Sequence, residues 1–173
     1  MYTLNETREA LRALIHARES EVTVPETANE EQEKTEKTKA QLPGIQDTEY
    51  SKHGSHLDVI CIPEQLVEIS SLLDSHQYFL ESISGVDWLK KEQLEIIYDY
   101  SRFEESFRIT VRVFVPRDQP CLPTISTIIP GANWHERETF DFYGVKFEGH
   151  PDLTRILLPE DADFYPLLKD YIP

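Results

Sequence analysis

The residues best equipped for chemistry crowd together at Trp134-His135-Glu136-Arg137-Glu138-Thr139-Phe140-Asp141-Phe142-Tyr143-Gly144, with His150, Asp152 and Arg155 close behind. Three kinds of chemistry can be drawn from them. A metal site would use His135, Glu138, Asp141, His150 and Asp152, and a metal-dependent hydrolase would rest on His135, Glu138 and His150. A helical zinc-protease site needs a second histidine one turn on, and His135-Glu136-Arg137-Glu138 lacks it. Acid–base catalysis could use Glu136, Glu138 and Asp141; the plainer reading pairs these carboxylates with Arg137 and Arg155. Nucleotide binding has the least support, because the six glycines (44, 54, 85, 131, 144 and 149) never come close enough for a phosphate loop.

Other candidate centres are sparse. Cys61 and Cys121 are too few for an iron–sulfur cluster, which usually takes four thiolates, and no zinc spacing surrounds them. Both sit beside apolar residues, where a buried thiol is expected. His16, His53, His56 and His76 occupy polar or boundary contexts and read as solvated. Trp88 reads as an anchor at a domain edge. Thirty-two acidic against seventeen basic residues give a net charge of -15, which repels phosphate backbones and argues against nucleic-acid binding. No apolar run approaches the ~20 residues that span a bilayer, and the charged N-terminus has no signal-peptide core. The expectation is a soluble intracellular chain whose membrane association, if any, is indirect.

The elements that position these residues follow from periodicity. Residues 1–20 read as an amphipathic helix with Leu4, Leu11, Leu14 and Ile15 on one face and a Thr3/Glu6 capping box at its start. Residues 21–55, rich in Glu, Lys and Thr, read as an acidic low-complexity linker, because such a segment buries too little apolar surface to offset its ordering entropy. Residues 56–144 read as the core domain. A strand at Leu57–Ile62 precedes a helix opened by Pro63 and carrying Leu66, Ile69, Leu72 and Leu73, and an apolar strand covers Tyr78–Val86. Strict alternation at Leu94, Ile96, Tyr98, Tyr100 and at Phe107, Ile109, Val111, Val113, Val115 predicts an antiparallel hairpin, with Arg108, Thr110 and Arg112 on its other side. Any helix within Thr124–Ile129 must be short, and Ala132–Tyr143 reads as a helix stopped by Gly144. Residues 145–173, proline-rich and aperiodic, read as an extended tail. The order β-α-β-β-β-α specifies an α+β fold, a mostly antiparallel sheet with helices on one face.

The stretch Glu136-Arg137-Glu138-x-x-Asp141-Phe142-Tyr143-Gly144-Val145-x-Phe147-x-Gly149-His150-Pro151-Asp152-Leu153-x-Arg155-Ile156-Leu157-Leu158 resembles, without a gap, the signature of the C-type (30 kDa-type) subunit family of NADH:quinone oxidoreductase, respiratory complex I. Gly85-Val86-Asp87, Ala132-Asn133-Trp134 and Pro166-Leu167-Leu168-Lys169-Asp170-Tyr171 extend the resemblance over roughly His56 to Pro173. Two positions depart from it, Thr154 where a basic residue is usual and Leu168 where an Arg is usual. The resemblance implies a non-catalytic structural and assembly subunit of the translocase's peripheral arm, on the cytoplasmic side of the bacterial inner membrane. It would pack beside the D-type subunit, which forms much of the quinone cavity, and near the cluster-bearing B- and I-type subunits. It implies no catalytic, cofactor-binding or metal residues in this chain, with iron–sulfur clusters, FMN and quinone held by partners. Its implied interface residues are Trp134, Glu136, Arg137, Glu138, Asp141, Gly144, His150, Pro151, Asp152, Arg155, Lys169 and Asp170, with Asp152 and Arg155 as candidate cross-subunit pairs. The equivalent subunit of a membrane-bound hydrogenase or ferredoxin-dependent quinone oxidoreductase shares the same module and stays open as an alternative.

Overall fold

Alternating apolar side chains make strands of Gln93–Arg102 (β4) and Phe107–Pro116 (β5) in the computed structural model, which describes residues 2–19, 43–104 and 106–172. They pair antiparallel with Leu94 opposite Val115, Ile96 opposite Val113, Tyr98 opposite Val111 and Tyr100 opposite Ile109. All eight of these side chains are buried and form one apolar face. Phe79–Trp88 (β3) lies antiparallel to β4 and runs two residues beyond the strand expected there, with a register shift between Leu80 and Ser82. Leu57–Cys61 (β2) joins the other side of β5 in parallel, Leu57 opposite Ile109.

Gly44–Asp47 (β1) completes the sheet, antiparallel to β2, in the order β1-β2-β5-β4-β3. This corrects the reading of residues 21–55 as linker throughout. Gly44-Ile45-Gln46-Asp47 has one large apolar residue and no alternation, so its strand conformation comes from pairing with β2, a tertiary effect invisible to local pattern. A one-turn helix, Tyr50–His53 (α2), follows and closes on Gly54, whose φ of 72° is the left-handed cap glycine favours. The linker residues 21–42 lie outside the described residues.

The longer helices gather on the apolar face. Leu66–Ser75 (α3) buries Leu66, Ile69 and Leu73 and places Ser70 Oγ 2.9 Å from the Tyr100 hydroxyl. Ala132–Tyr143 (α4) packs on β3 so closely that a Cβ on Gly85 would stand 2.6 Å from the Tyr143 ring. Leu4–Glu19 (α1) packs against α3 and β1, burying Leu11 and Ile15. Its capping box forms as the sequence predicts: the Thr3 amide donates to Glu6 Oε2 at 2.6 Å, and the Glu6 amide to Thr3 Oγ1 at 3.3 Å. Gln65 fastens the helix's far end by donating to the Leu14 and Ile15 carbonyls. The opposite sheet face is a charge ladder in which Arg112 bridges Asp58 and Glu95, each at 2.8 Å, and Trp88 Nε1 donates to Glu95. The protein is thus an α+β fold with a mostly antiparallel five-stranded sheet. Among the described residues no helix is long and apolar enough to cross a membrane.

Candidate interface built on the fourth helix and the tail

α4 positions the signature residues through helical spacing: Ala132, Glu136 and Thr139, four and three residues apart, are buried, while Trp134 and Glu138 point outward. Glu136 is fully buried, its carboxylate accepting the Ile125 amide at 2.8 Å and the Thr124 hydroxyl. Burial pushes this carboxyl above its ordinary value, and the hydrogen bonds from Thr124, Ile125 and Ser126 offset only part of that rise. The His150 side chain is buried beside it, with Nε2 3.7 Å from the Glu136 carboxylate and 3.3 Å from the Asn133 carbonyl. Its Nδ1 accepts the Asp152 amide, which leaves the ring proton on Nε2.

One turn further along, Asp141 is equally buried but differently supplied. Its Oδ1 takes the Arg155 guanidinium at 2.7 Å, and its Oδ2 takes three successive amides, Ile156 at 3.1 Å, Leu157 at 2.7 Å and Leu158 at 2.9 Å. Consecutive amides converging on one oxygen make an anion nest filled by the chain's own carboxylate. Burial pushes Asp141 up, but the Leu158 and Leu157 amides, the Arg155 guanidinium and the Ile156 amide together hold it below its ordinary value. Arg137 reaches the same stretch by donating to the Thr154 carbonyl and hydroxyl, each at 3.0 Å, and to the Arg155 carbonyl.

A second fastening holds the end of the tail. Arg117, just past β5, forks onto Asp87 at 2.9 and 3.2 Å and also meets Asp170, while the Lys169 amide donates to Asp87 at 2.8 Å. The Lys169 ammonium stands 5.8 Å over the Trp88 ring. Between the fastenings, Tyr165 covers Gly144, whose φ is 78° and whose missing Cβ would meet that ring at 2.9 Å. Lys146–Glu148 (β7) pairs in parallel with Cys121–Pro123 (β6). The tail is therefore tied along its length to its own domain and includes a short strand.

The residues proposed from sequence for the interface separate into groups. Glu136, Asp141, Gly144 and the His150 side chain are spent inside the chain. Arg137, Arg155, Asp170 and the Lys169 amide bind the tail, so Arg155 pairs with Asp141 of the same chain rather than remaining open to a neighbour. Trp134, Glu138, Pro151 and Asp152 are exposed, with Trp134 61% exposed and the Arg137 guanidinium 5.3 Å from its ring. Both departures acquire physical roles: Thr154 supplies a hydroxyl acceptor to Arg137, and Leu168 packs against the core. Sequence reasoning missed Arg117 and Thr124, which carry no local pattern, and His76, which is buried rather than solvated. No group of three His, Cys, Asp or Glu among the described residues is placed to hold a metal ion. Cys61 is buried and its thiol pushed up to about 12 by desolvation, which makes it inert as a nucleophile.

Comparison with known proteins adds lineage to this geometry. Residues 59–173 match the family model described as respiratory-chain NADH dehydrogenase, 30 Kd subunit. The C-type subunit of NADH-quinone oxidoreductase from Roseiflexus castenholzii is 41% identical over 125 residues, covering 69% of this chain and 72% of that protein. A chain of the membrane-bound sulfane sulfur reductase, an archaeal respiratory membrane complex, superposes with a TM-score of 0.62 at 26% identity, over 67% of this chain and 71% of that one. A trypsin-resistant fragment of Nqo5 superposes with a TM-score of 0.55 at 32% identity, over 64% of this chain and 89% of the fragment.

Proposed function

The chain belongs to the respiratory-chain NADH dehydrogenase 30 kDa subunit family, and from that premise we propose that it is a structural and assembly subunit in the peripheral arm of a proton-translocating NADH:quinone oxidoreductase. It packs beside the D-type subunit of the quinone cavity and the iron–sulfur subunits of the B and I types, on the cytoplasmic side of the membrane. The iron–sulfur clusters, FMN and quinone belong to those partners. The observation that carries this reading is the family match across residues 59–173, which spans the whole tail and α4. The chemistry of the signature supports it, because Glu136 and Asp141 are consumed in holding loops rather than facing a cleft.

Trp134, Leu157, Leu167 and Ile172 stand exposed on α4 and the tail, apolar residues of the sort that anchor subunit contacts. Affinity purification of the tagged chain from native membranes, with partners identified by mass spectrometry, tests the assignment. Recovery of quinone-site, iron–sulfur and NADH-oxidising subunits is the expected result, and a chain recovered alone would overturn it. Trp134→Ala should leave the thermal midpoint of the free subunit within about 2 °C, since an exposed ring contributes little to the fold. It should weaken partner capture roughly 30-fold in affinity, the cost of losing about 2 kcal/mol at a contact anchor. The likeness to the sulfane sulfur reductase chain favours one second reading, the equivalent subunit of a related respiratory complex with another electron donor. Recovery of hydrogenase-type subunits without an NADH-oxidising module would select it.

A further inference from the structure

The N-terminal helix lies outside the matched residues 59–173, and its first turns are clasped to the domain by a buried histidine. His76, at the end of α3, is 5% exposed. Its ring stacks on Tyr2 with centroids 3.8 Å apart and planes 7° from parallel, and its Nδ1 lies 2.8 Å from the Thr7 hydroxyl. That hydroxyl is bonded in turn to the Thr3 carbonyl, just ahead of α1. Arg102 of β4 reaches the same place and donates to the Tyr2 carbonyl at 2.6 Å. Among the described residues, the charged groups facing the imidazole are Glu6 from α1 and Arg102 from β4, the latter with Glu104 3.9 Å behind it. Arg8 is turned away onto Asp47 of β1.

We propose that His76 is a proton-operated latch for α1: neutral, it holds the first turns of the helix on α3, and protonation releases them. A second proton on the ring would place a full charge in a buried site near a guanidinium, and the exposed Glu6 carboxylate compensates it weakly. Opening the Tyr2–Thr7 clasp hydrates that charge at the cost of one ring stack and a few hydrogen bonds. The direction of the imidazole's shift agrees: burial lowers it, Glu6 offsets part, and Arg102 lowers it further. A histidine whose folded value is depressed contributes stability that is full above its ordinary 6.5 and is lost as pH falls from there down through the depressed folded value. The far end of α1 is held differently, by burial of Leu11 and Ile15 and by the Gln65 amide, and serves as an internal control.

Amide hydrogen exchange on the full chain between pH 7.5 and 5.0, corrected for intrinsic rates, reads the latch directly. Protection at residues 6–9 should fall by close to tenfold per pH unit below 6.5, until the folded ring itself takes up the proton, while β4 and β5 stay protected. His76→Gln keeps a hydrogen-bonding group but cannot titrate, so its α1 protection should be flat across the same range. Should glutamine loosen α1 at every pH, the imidazole's own titration in the wild-type chain decides, because its midpoint by NMR must coincide with the loss of protection. Unchanged protection at pH 5.0, an equal fall in the glutamine variant, or a histidine that titrates while α1 stays closed would each overturn the proposal.

Discussion

At the scale of single residues, the same chemical group does opposite things depending on what it meets. Tyr98 and Tyr100 lie on one strand face and both are buried, and the Tyr100 hydroxyl meets Ser70. The Tyr98 hydroxyl has no hydrogen-bond partner among the described residues, an arrangement that costs free energy. Tyr98→Phe should therefore be neutral or stabilising by up to about 1 kcal/mol, whereas Tyr100→Phe should cost about 1 kcal/mol by orphaning Ser70. Urea midpoints of the two variants, measured side by side, check the asymmetry. The burial of both tyrosines was legible from alternation, but hydroxyl satisfaction was not, because Ser70 lies thirty residues away in another element. The same holds for Glu136: its place on a helix could be read locally, its partners Thr124 and Ile125 could not.

At the scale of elements, local pattern went furthest where an element carries its own stabilisation. The β4–β5 hairpin, the α1 capping box and the Gly144 stop to α4 all appear where their residues demand. Pattern failed at β1, whose conformation is imposed by β2, and at the parallel join of β2 to β5, since alternation says nothing about strand direction. The seating of α4 on β3 was equally hidden. It depends on Gly85, which leaves room for the Tyr143 ring. Gly85→Ala should destabilise the protein by about 2 kcal/mol through overpacking. Adding Tyr143→Leu to it should recover part of that loss, and a double-mutant cycle on thermal midpoints measures the coupling. Additive effects would mean that helix and strand do not meet through this pair.

For the whole molecule, the decisive feature is that the tail belongs to the body before any partner is considered. Its proline content and lack of periodicity point to a strap laid over a neighbour, and sequence pattern has no means of showing that Asp141 and Asp87 tie it down within one chain. Acid should loosen this arrangement in a defined window. Asp141 is held below its ordinary 3.8, so its contribution is full above that value and lost as pH falls below it. Glu136, raised above its ordinary 4.5, has the opposite sign: the cost of its charge is absent below 4.5 and grows as pH rises from there through the raised folded value. Asp141→Asn should cost about 3 kcal/mol at neutral pH, because Arg155 is left buried without its counter-charge. That difference should shrink as pH is taken below about 3.8, and denaturant titrations of both proteins across pH 7 to 2.5 provide the measurement. A gap that stays constant with pH would assign the effect to packing instead of charge.

The parallel seam between β2 and β5 also imposes an order in time. β3, β4 and β5 form a meander joined by short turns and can close early, but β2 finds its place only when the chain about fifty residues downstream has arrived. Strand β1, which pairs with β2 alone within the sheet, inherits the delay. During synthesis the N-terminal strands leave the ribosome first, yet Leu57, Val59 and Cys61 have no sheet to join until Phe107–Pro116 has followed them out. The earliest-made part of this domain is thus among the last to be locked in place.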